Sequence, residues 1–187
     1  MDGQPTHSHA LELARACAQG DSSAQKRLFM QLAPRMKSVC LRYAQDAEQA
    51  QDYLQEGFIR LFAKVDSYRG DSSLETWSTR LFINNCLTLL KKDKKNRQLL
   101  EGIDENMDYA DESVEVEEDI FDADQWLDLM QQLPVGYRTV LNLFVFEDKG
   151  HKEIAELLGI SENTSKSQLF KARRMLKELL TNANGEK

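Results

Sequence analysis

The sequence predicts an all-α protein of two small helical domains joined by an acidic flexible linker. Apolar residues recur at three- and four-residue spacing along most of the chain, and no segment alternates as a half-buried strand would. Gly and Pro together number only 12 of 187 residues, which suits long helices. Acidity is concentrated: of 31 Asp and Glu, 13 lie between Glu101 and Asp128, with no Lys or Arg from Gln98 to Tyr137. The other 18 stand against 24 basic residues, so the rest of a chain of net charge -7 is mildly basic, as a nucleic-acid binder is expected to be. This places a first domain at 1–98, the linker at 99–123 and a second domain at 124–187.

An N-terminal helix is expected over about Ala10 to Gln19, ending at Gly20. Asp21 or Ser22 caps a second helix carrying Leu28, Phe29, Leu32, Met36, Val39, Cys40 and Tyr43, which Pro34 breaks or kinks. A third runs from Ala47 to Lys64. The polar stretch DSYRGDSS is a turn, and Ser72 with Glu75 forms an S-x-x-E capping box for a fourth helix, about Leu74 to Lys95. Leu81, Phe82, Ile83, Cys86, Leu87, Leu89 and Leu90 cover that helix nearly all round, which sets it at the centre of a bundle.

Beyond the acidic stretch come a short helix around Trp126 to Gln132 and one starting at Pro134, a residue suited to a first helical turn. GHKEIAELLGISENTSKSQLFKARRML then reads as a helix-turn-helix. Gly159 ends the first helix, whose Ile154, Ala155 and Leu158 face inward, and Ser161 caps the second. Ser165, Leu169, Ala172, Leu176 and Leu179 form the core side of that last helix. Its opposite face carries Asn163, Ser167, Phe170, Lys171 and Arg174, flanked by Lys166 and Arg173, a mixture suited to phosphates, base edges and thymine methyls in a major groove. Phe170 lies about 130° from the core direction, an unusual place for a large apolar side chain on a solvated helix.

Three other surfaces stand out. On the third helix Leu54, Phe58, Leu61, Phe62 and Val65 share one side, while Asp52, Gln55, Glu56, Ile59 and Ala63 share the other. That second face is either plain solvated surface or an acidic and amide patch around an exposed Ile, fit for a basic protein partner. The run KKDKKNR, Lys91 to Arg97, either tracks a phosphate backbone or complements a helix dipole. Tyr68, Arg69 and Trp77 offer groups able to stack on unpaired bases, although a Trp in an apolar bundle is commonly core.

The exclusions are equally definite. Cys17, Cys40 and Cys86 are odd in number, lack CxxC spacing and sit in apolar helical patterns, so they read as reduced, buried thiols and not as a disulfide or zinc framework. His7, His9 and His151 have no partner spacing, and no Gly-rich loop, nucleophile elbow or HExxH is present; neither an enzyme nor a cofactor or metal site is expected. No apolar run approaches the ~20 residues of a membrane span, and the N-terminus lacks the pattern of a secretory signal. A cytoplasmic protein with no membrane insertion is expected.

Together these pieces resemble the bacterial sigma factors of the extracytoplasmic-function group (group 4 of the sigma-70 family), the small dissociable subunits that give RNA polymerase its promoter choice. The resemblance covers nearly the whole chain. The pattern D-x-x-Q-E-x-F is met by Asp52, Gln55, Glu56 and Phe58, and W-L-x-x-I-A-x-N by WSTRLFIN from Trp77 to Asn84. The pattern E-I-A…L-G…T-V-K-S-x-L-x-R-A-R is met by Glu153-Ile154-Ala155, Leu158-Gly159 and TSKSQLFKAR from Thr164 to Arg173. The resemblance implies a sigma region 2 bundle followed by a sigma region 4 helix-turn-helix. It also implies that Asp52, Gln55 and Glu56, with Ile59 among them, dock on the clamp helices of the polymerase β′ subunit. Tyr68, Arg69, Arg80, Asn84, Lys91, Lys92, Lys94 and Lys95 would engage the separated −10 element. Asn163, Lys166, Ser167, Gln168, Phe170, Lys171, Arg173 and Arg174 would read the −35 duplex, and the linker would run toward the RNA exit path. Core RNA polymerase and promoter DNA are the implied partners, with room for an anti-sigma factor. The chain departs from the pattern at Ser78 (usually Leu), at Asn85 after Asn84, at Ser165 (usually Val, a weakened core contact), and at Gln168 and Lys171, where Arg is frequent. Gln favours adenine where Arg favours guanine, which bears on the −35 sequence. The alternative is a stand-alone helix-turn-helix regulator with an N-terminal helical regulatory domain.

Overall fold

In a computed structural model the chain is described over residues 7–92 and 123–185. Among these residues there are eight α-helices, one 3-10 turn and no strand. They are α1 (His7–Ala18), α2 (Ser22–Tyr43), α3 (Ala47–Lys64), the 3-10 turn Val65–Ser67, α4 (Leu74–Lys92), α5 (Ala123–Gln131), α6 (Val135–Val145), α7 (His151–Leu158) and α8 (Glu162–Gly185). Two compact units result, Met1–Thr88 and Leu89–Lys187. The expected boundary at 98/99, the acidic linker as far as residue 122, and Lys94 and Lys95 lie outside the described residues. No described helix is long and apolar enough to cross a membrane.

In the first unit, α2 begins where Asp21 accepts from the backbone N–H groups of Ser23 (2.8 Å) and Ala24 (3.1 Å), so Asp21 is the cap. Pro34 does not break the helix, which runs on to Tyr43. A prolyl residue removes one N–H, and the buried row Ala24, Leu28, Leu32, Met36, Val39, Cys40 and Tyr43 holds the helix across that gap. Phe29 is the exception in the expected row; it is 41% exposed and touches Phe58 at 4.5 Å between ring centroids.

The capping box expected at Ser72 and Glu75 does not form. Ser73 caps α4 instead, its hydroxyl accepting from the Thr76 N–H at 3.0 Å and meeting the Thr76 hydroxyl at 2.8 Å. Glu75 is drawn away to Arg35 of α2, 2.8 Å distant. α4 is buried as expected along Phe82, Ile83, Cys86, Leu87 and Leu90, and two polar residues, Ser78 and Asn85, are buried among them. The Ser78 hydroxyl donates to the Leu74 carbonyl at 2.7 Å, and the Asn85 side-chain amide donates to the Tyr53 carbonyl of α3 at 3.3 Å. Cys17, Cys40 and Cys86 are buried free thiols. The Cys86 thiol donates a hydrogen bond to Cys40, and that hydrogen bond with burial pushes it well above the ordinary range.

In the second unit, α6, α7 and α8 pack around Val140, Leu143, Ile154, Leu158, Leu169, Ala172 and Leu176. Pro134 is the cap of α6 rather than its first residue, and its carbonyl accepts from the Arg138 N–H at 3.0 Å. Gly159 closes α7 in the left-handed region (φ 72), where its N–H and that of Ile160 both reach the Ala155 carbonyl. Ser161 then caps α8 by accepting from the Thr164 N–H at 2.9 Å.

Candidate functional site

The outward face of α3 is laid out as its spacing predicts. Asp52, Gln55, Glu56, Ile59 and Ala63 are all exposed, while Tyr53, Leu54, Gly57, Phe58 and Leu61 are buried behind them. Ile59 is 56% exposed, an apolar side chain held in water beside carboxylates. Folding does not require these groups: none of Asp52, Gln55, Glu56 or Ile59 makes a side-chain hydrogen bond or ion pair to a described residue. What remains is a rigid, helix-borne patch suited to a partner with basic groups around an apolar socket.

Beyond α3 the turn is more structured than a polar loop suggests. Tyr68 is only 6% exposed; its hydroxyl donates to the Ser72 carbonyl at 2.7 Å and its ring packs on Trp77 at 5.6 Å. Tyr68 therefore pins the turn and presents no open stacking face. Gly70 (φ 81) lets the turn press against Leu11 of α1. Arg69, Arg80, Asn84, Lys91 and Lys92 are exposed. Arg80 and Asn84 also line a cleft of about 440 Å³, where the structure adds Arg60, Lys64, Ser67, Trp77, Asn85 and Thr88. Residue-by-residue reading passed over Arg60 and Lys64, although their four-residue spacing on α3 puts two cations on one side of a helix.

On α8 the expected reading face is only partly open. Asn163, Lys166 and Arg174 are exposed, and Phe170, Lys171 and Arg173 are half-buried. Ser167 and Gln168 are 4% and 2% exposed, so the middle of that face is buried. Lys166 pairs with Glu162 at 2.9 Å, and the Arg173 guanidinium lies 5.4 Å from the centre of the Phe144 ring.

Ser165, expected to weaken a core contact, has a partner that spacing did not reveal. Its buried hydroxyl lies 3.0 Å from Nδ1 of His151, whose ring stacks on Phe144 at 5.1 Å. The first turns of α7 and α8 are thereby tied through one imidazole. Burial, then the Lys166 charge, pushes that imidazole below its usual range of about 6.5; Arg173 adds to the effect and Glu162 opposes it. The folded unit thus favours neutral His151. Its contribution to stability is complete above about pH 6.5 and is lost as pH falls through that value toward the depressed one. The melting temperature is expected to fall between pH 7.5 and 5.5, and more steeply in the wild type than in His151→Gln. Glu153 and Glu162 are held below 4.5 by Lys149 and Lys166, so they titrate outside this window. Equal slopes for the two proteins would refute the assignment.

Comparison with known proteins matches these two sets of elements separately. The family Sigma-70 region 2 matches residues 28–96, and Sigma-70, region 4 matches residues 123–176. The RNA polymerase sigma-H factor of Pseudomonas aeruginosa is 27% identical over 189 residues, covering 94% of this chain and 95% of that protein. The ECF RNA polymerase sigma factor SigM of Bacillus subtilis is 30% identical over 144 residues, 74% of this chain and 84% of the relative. Among solved structures, the sigma factor RpoE of Bartonella quintana, in complex with the anti-sigma factor NepR, is 20% identical, covers 83% of this chain and 96% of its own, and has a TM-score of 0.49. Both halves match sigma regions, so a stand-alone regulator is not favoured. The chain belongs to the extracytoplasmic-function group of bacterial RNA polymerase sigma factors, the subunits that direct transcription initiation.

Proposed function

We propose that the first unit of this sigma factor, with the end of α4 that leads out of it, carries both polymerase docking and −10 recognition, and that the helices after the linker carry −35 recognition. Asp52, Gln55, Glu56 and Ile59 dock on the clamp helices of the β′ subunit. Arg69, Arg80, Asn84, Lys91 and Lys92 engage the separated −10 strand, with Lys94 and Lys95 continuing the same basic run. Tyr68 supports them by holding the turn. Asn163, Lys166, Ser167, Gln168, Phe170, Lys171, Arg173 and Arg174 meet the −35 duplex. The protein performs no catalysis of its own and works in the cytoplasm, beside the polymerase. The carrying observation is the α3 face, where a D-x-x-Q-E patch and a 56%-exposed Ile59 stand free of any structural duty. An anti-sigma factor that covered this face would silence the protein without touching DNA.

In vitro transcription tests the reading. Core polymerase with the protein should start at specific promoters of a genomic library, and core polymerase alone should not. Changing Lys171 to Arg should redistribute starts among −35 sequences while leaving affinity for core polymerase unaltered. Silence on every promoter would overturn the reading.

A further inference from the structure

We propose that the free protein forms a two-fold homodimer through the joined outer faces of α2 and α3, with Met30 of one copy on Ile59 of the other and Lys37 of one copy on Asp52 of the other. The dimer covers the patch that docks polymerase, so only the monomer is open to polymerase. That consequence, unlike the dimer itself, rests on the docking reading above.

Three of the four large apolar side chains exposed among the described residues fall on this one face. Met30, 65% exposed, joins Phe29 and Ile59 there, whereas the fourth, Phe146, belongs to the other unit. Phe29 touches Phe58 at 4.5 Å between ring centroids, and Phe58 leads on to half-buried Phe62 at 6.2 Å, so the apolar surface continues from α2 onto α3. Monomeric proteins seldom leave such a patch to water.

The edges of the face decide what covers it. Lys26, Met30, Ala33 and Lys37 follow four- and three-residue spacing and form one stripe of α2, while Asp52, Gln55, Ile59 and Phe62 form the neighbouring stripe of α3. The two helices pack together and are joined by only Ala44, Gln45 and Asp46, so they run antiparallel. From the Phe29–Phe58 contact, Lys37 lies about 12 Å toward that turn on α2 and Asp52 about 9 Å toward it on α3, at a rise of ~1.5 Å per residue. One edge is therefore basic and the other acidic at nearly the same height, and Met30 and Ile59 are level beside the Phe pair. Neither Lys37 nor Asp52 is ion-paired to a described residue. A uniformly basic partner suits the α3 edge alone, because Lys37 repels it. Both edges are matched at once by a surface with the same edges in reverse order. A second copy turned about a two-fold axis parallel to the helices supplies it: Lys37 meets Asp52 twice, Met30 meets Ile59 twice, and Phe29 and Phe62 lie between them. An axis across the helices would set Asp52 against Asp52.

Sedimentation equilibrium of the protein from about 1 to 100 μM spans the affinities of a small interface. The wild type should pass from the mass of one chain to that of two. Met30→Ser and Lys37→Glu should each weaken association about tenfold, and both should keep the wild-type melting temperature, since both side chains are exposed. Adding Asp52→Lys to Lys37→Glu reverses both edges and should restore association to within about threefold of wild type. In the dimer range Lys37→Glu should bind core polymerase with higher apparent affinity than the wild type, and in the monomer range the two should agree. A single-chain mass at every concentration would give the face to another partner and overturn the proposal. So would a dimer that ignores both substitutions, or a charge exchange that fails to restore it. Equal polymerase binding in both ranges would overturn the exclusion. A dimer that behaves as described, in a protein that never binds polymerase, would support the interface and sink the docking reading alone.

Discussion

Replacing Asp52, Gln55 and Glu56 together by alanine should lower affinity for core polymerase about 30- to 100-fold, while the melting temperature changes by no more than about 2 °C. The two halves of this expectation have one cause. All three side chains are exposed and stand on the side of α3 turned away from Leu54, Phe58 and Leu61, so truncating them removes no packing and no intramolecular bond. In a complex the same groups lose water and need partners; removing them strands basic groups on the polymerase, which makes hot-spot truncation costly. Ile59→Ala alone should cost about tenfold, since a central apolar anchor gains its energy only when a partner covers it. Titration of labelled protein with core polymerase at two salt concentrations separates the contributions. The triple variant should flatten the salt dependence of association, and Ile59→Ala should leave it unchanged. Full affinity in the triple variant would move the docking surface elsewhere.

How much of this was legible in the sequence varies with the range of the interaction. The bounds of α3, the cap at Ser161 and the left-handed Gly159 follow from local spacing and local hydrogen bonds, and the structure has them where expected. The cap of α4 was misplaced by one residue because Ser72 and Ser73 are chemically alike. Glu75, which the box requires, is paired instead with Arg35 on another helix. Tyr68 read as an open aromatic because its ring lies in a polar stretch, yet the Ser72 carbonyl and Trp77 hold it in. Ser165 looked like a defect until His151, 14 residues earlier, supplied the partner. Ser167 marks the limit of helical-wheel reasoning. A wheel sorts residues against one helix's own core stripe, and it does not say how deeply the opposite side is buried, as Ser167 is. The cleft beside Arg80 was invisible for a similar reason, since Arg60 and Lys64 reach it only after two helices pack side by side.

That packing depends on Gly57, and its substitution should produce the largest loss of stability in the first unit. Glycine in the middle of a helix costs about 1 kcal/mol relative to alanine, so α3 gives up intrinsic helix preference at this position. The reason is steric. A methyl group built on Gly57 would stand 2.5 Å from Cδ1 and 2.8 Å from Cζ of Phe82, and closer still to Cε1. Phe82 has no room to retreat, being fully buried and set edge-on against Phe58 at 5.1 Å. Overpacking of this kind costs about 1–3 kcal/mol and sometimes more. Gly57→Ala should therefore lose about 2 kcal/mol net of its propensity gain, and Gly57→Val more. For a unit of this size that is a drop of roughly 10 °C in melting temperature. Activity should suffer as well, because the clash pries α3 from α4 and so displaces Gln55 and Glu56 on one side and the cleft on the other. A double-mutant cycle identifies the cause. Phe82→Leu alone leaves a partly empty core and destabilises, yet combined with Gly57→Ala it makes space for the new methyl, so the pair should cost less than the sum of its parts. Strict additivity, or a Gly57→Ala protein as stable as the wild type, would mean that the Phe82 ring yields and that the glycine serves some other end.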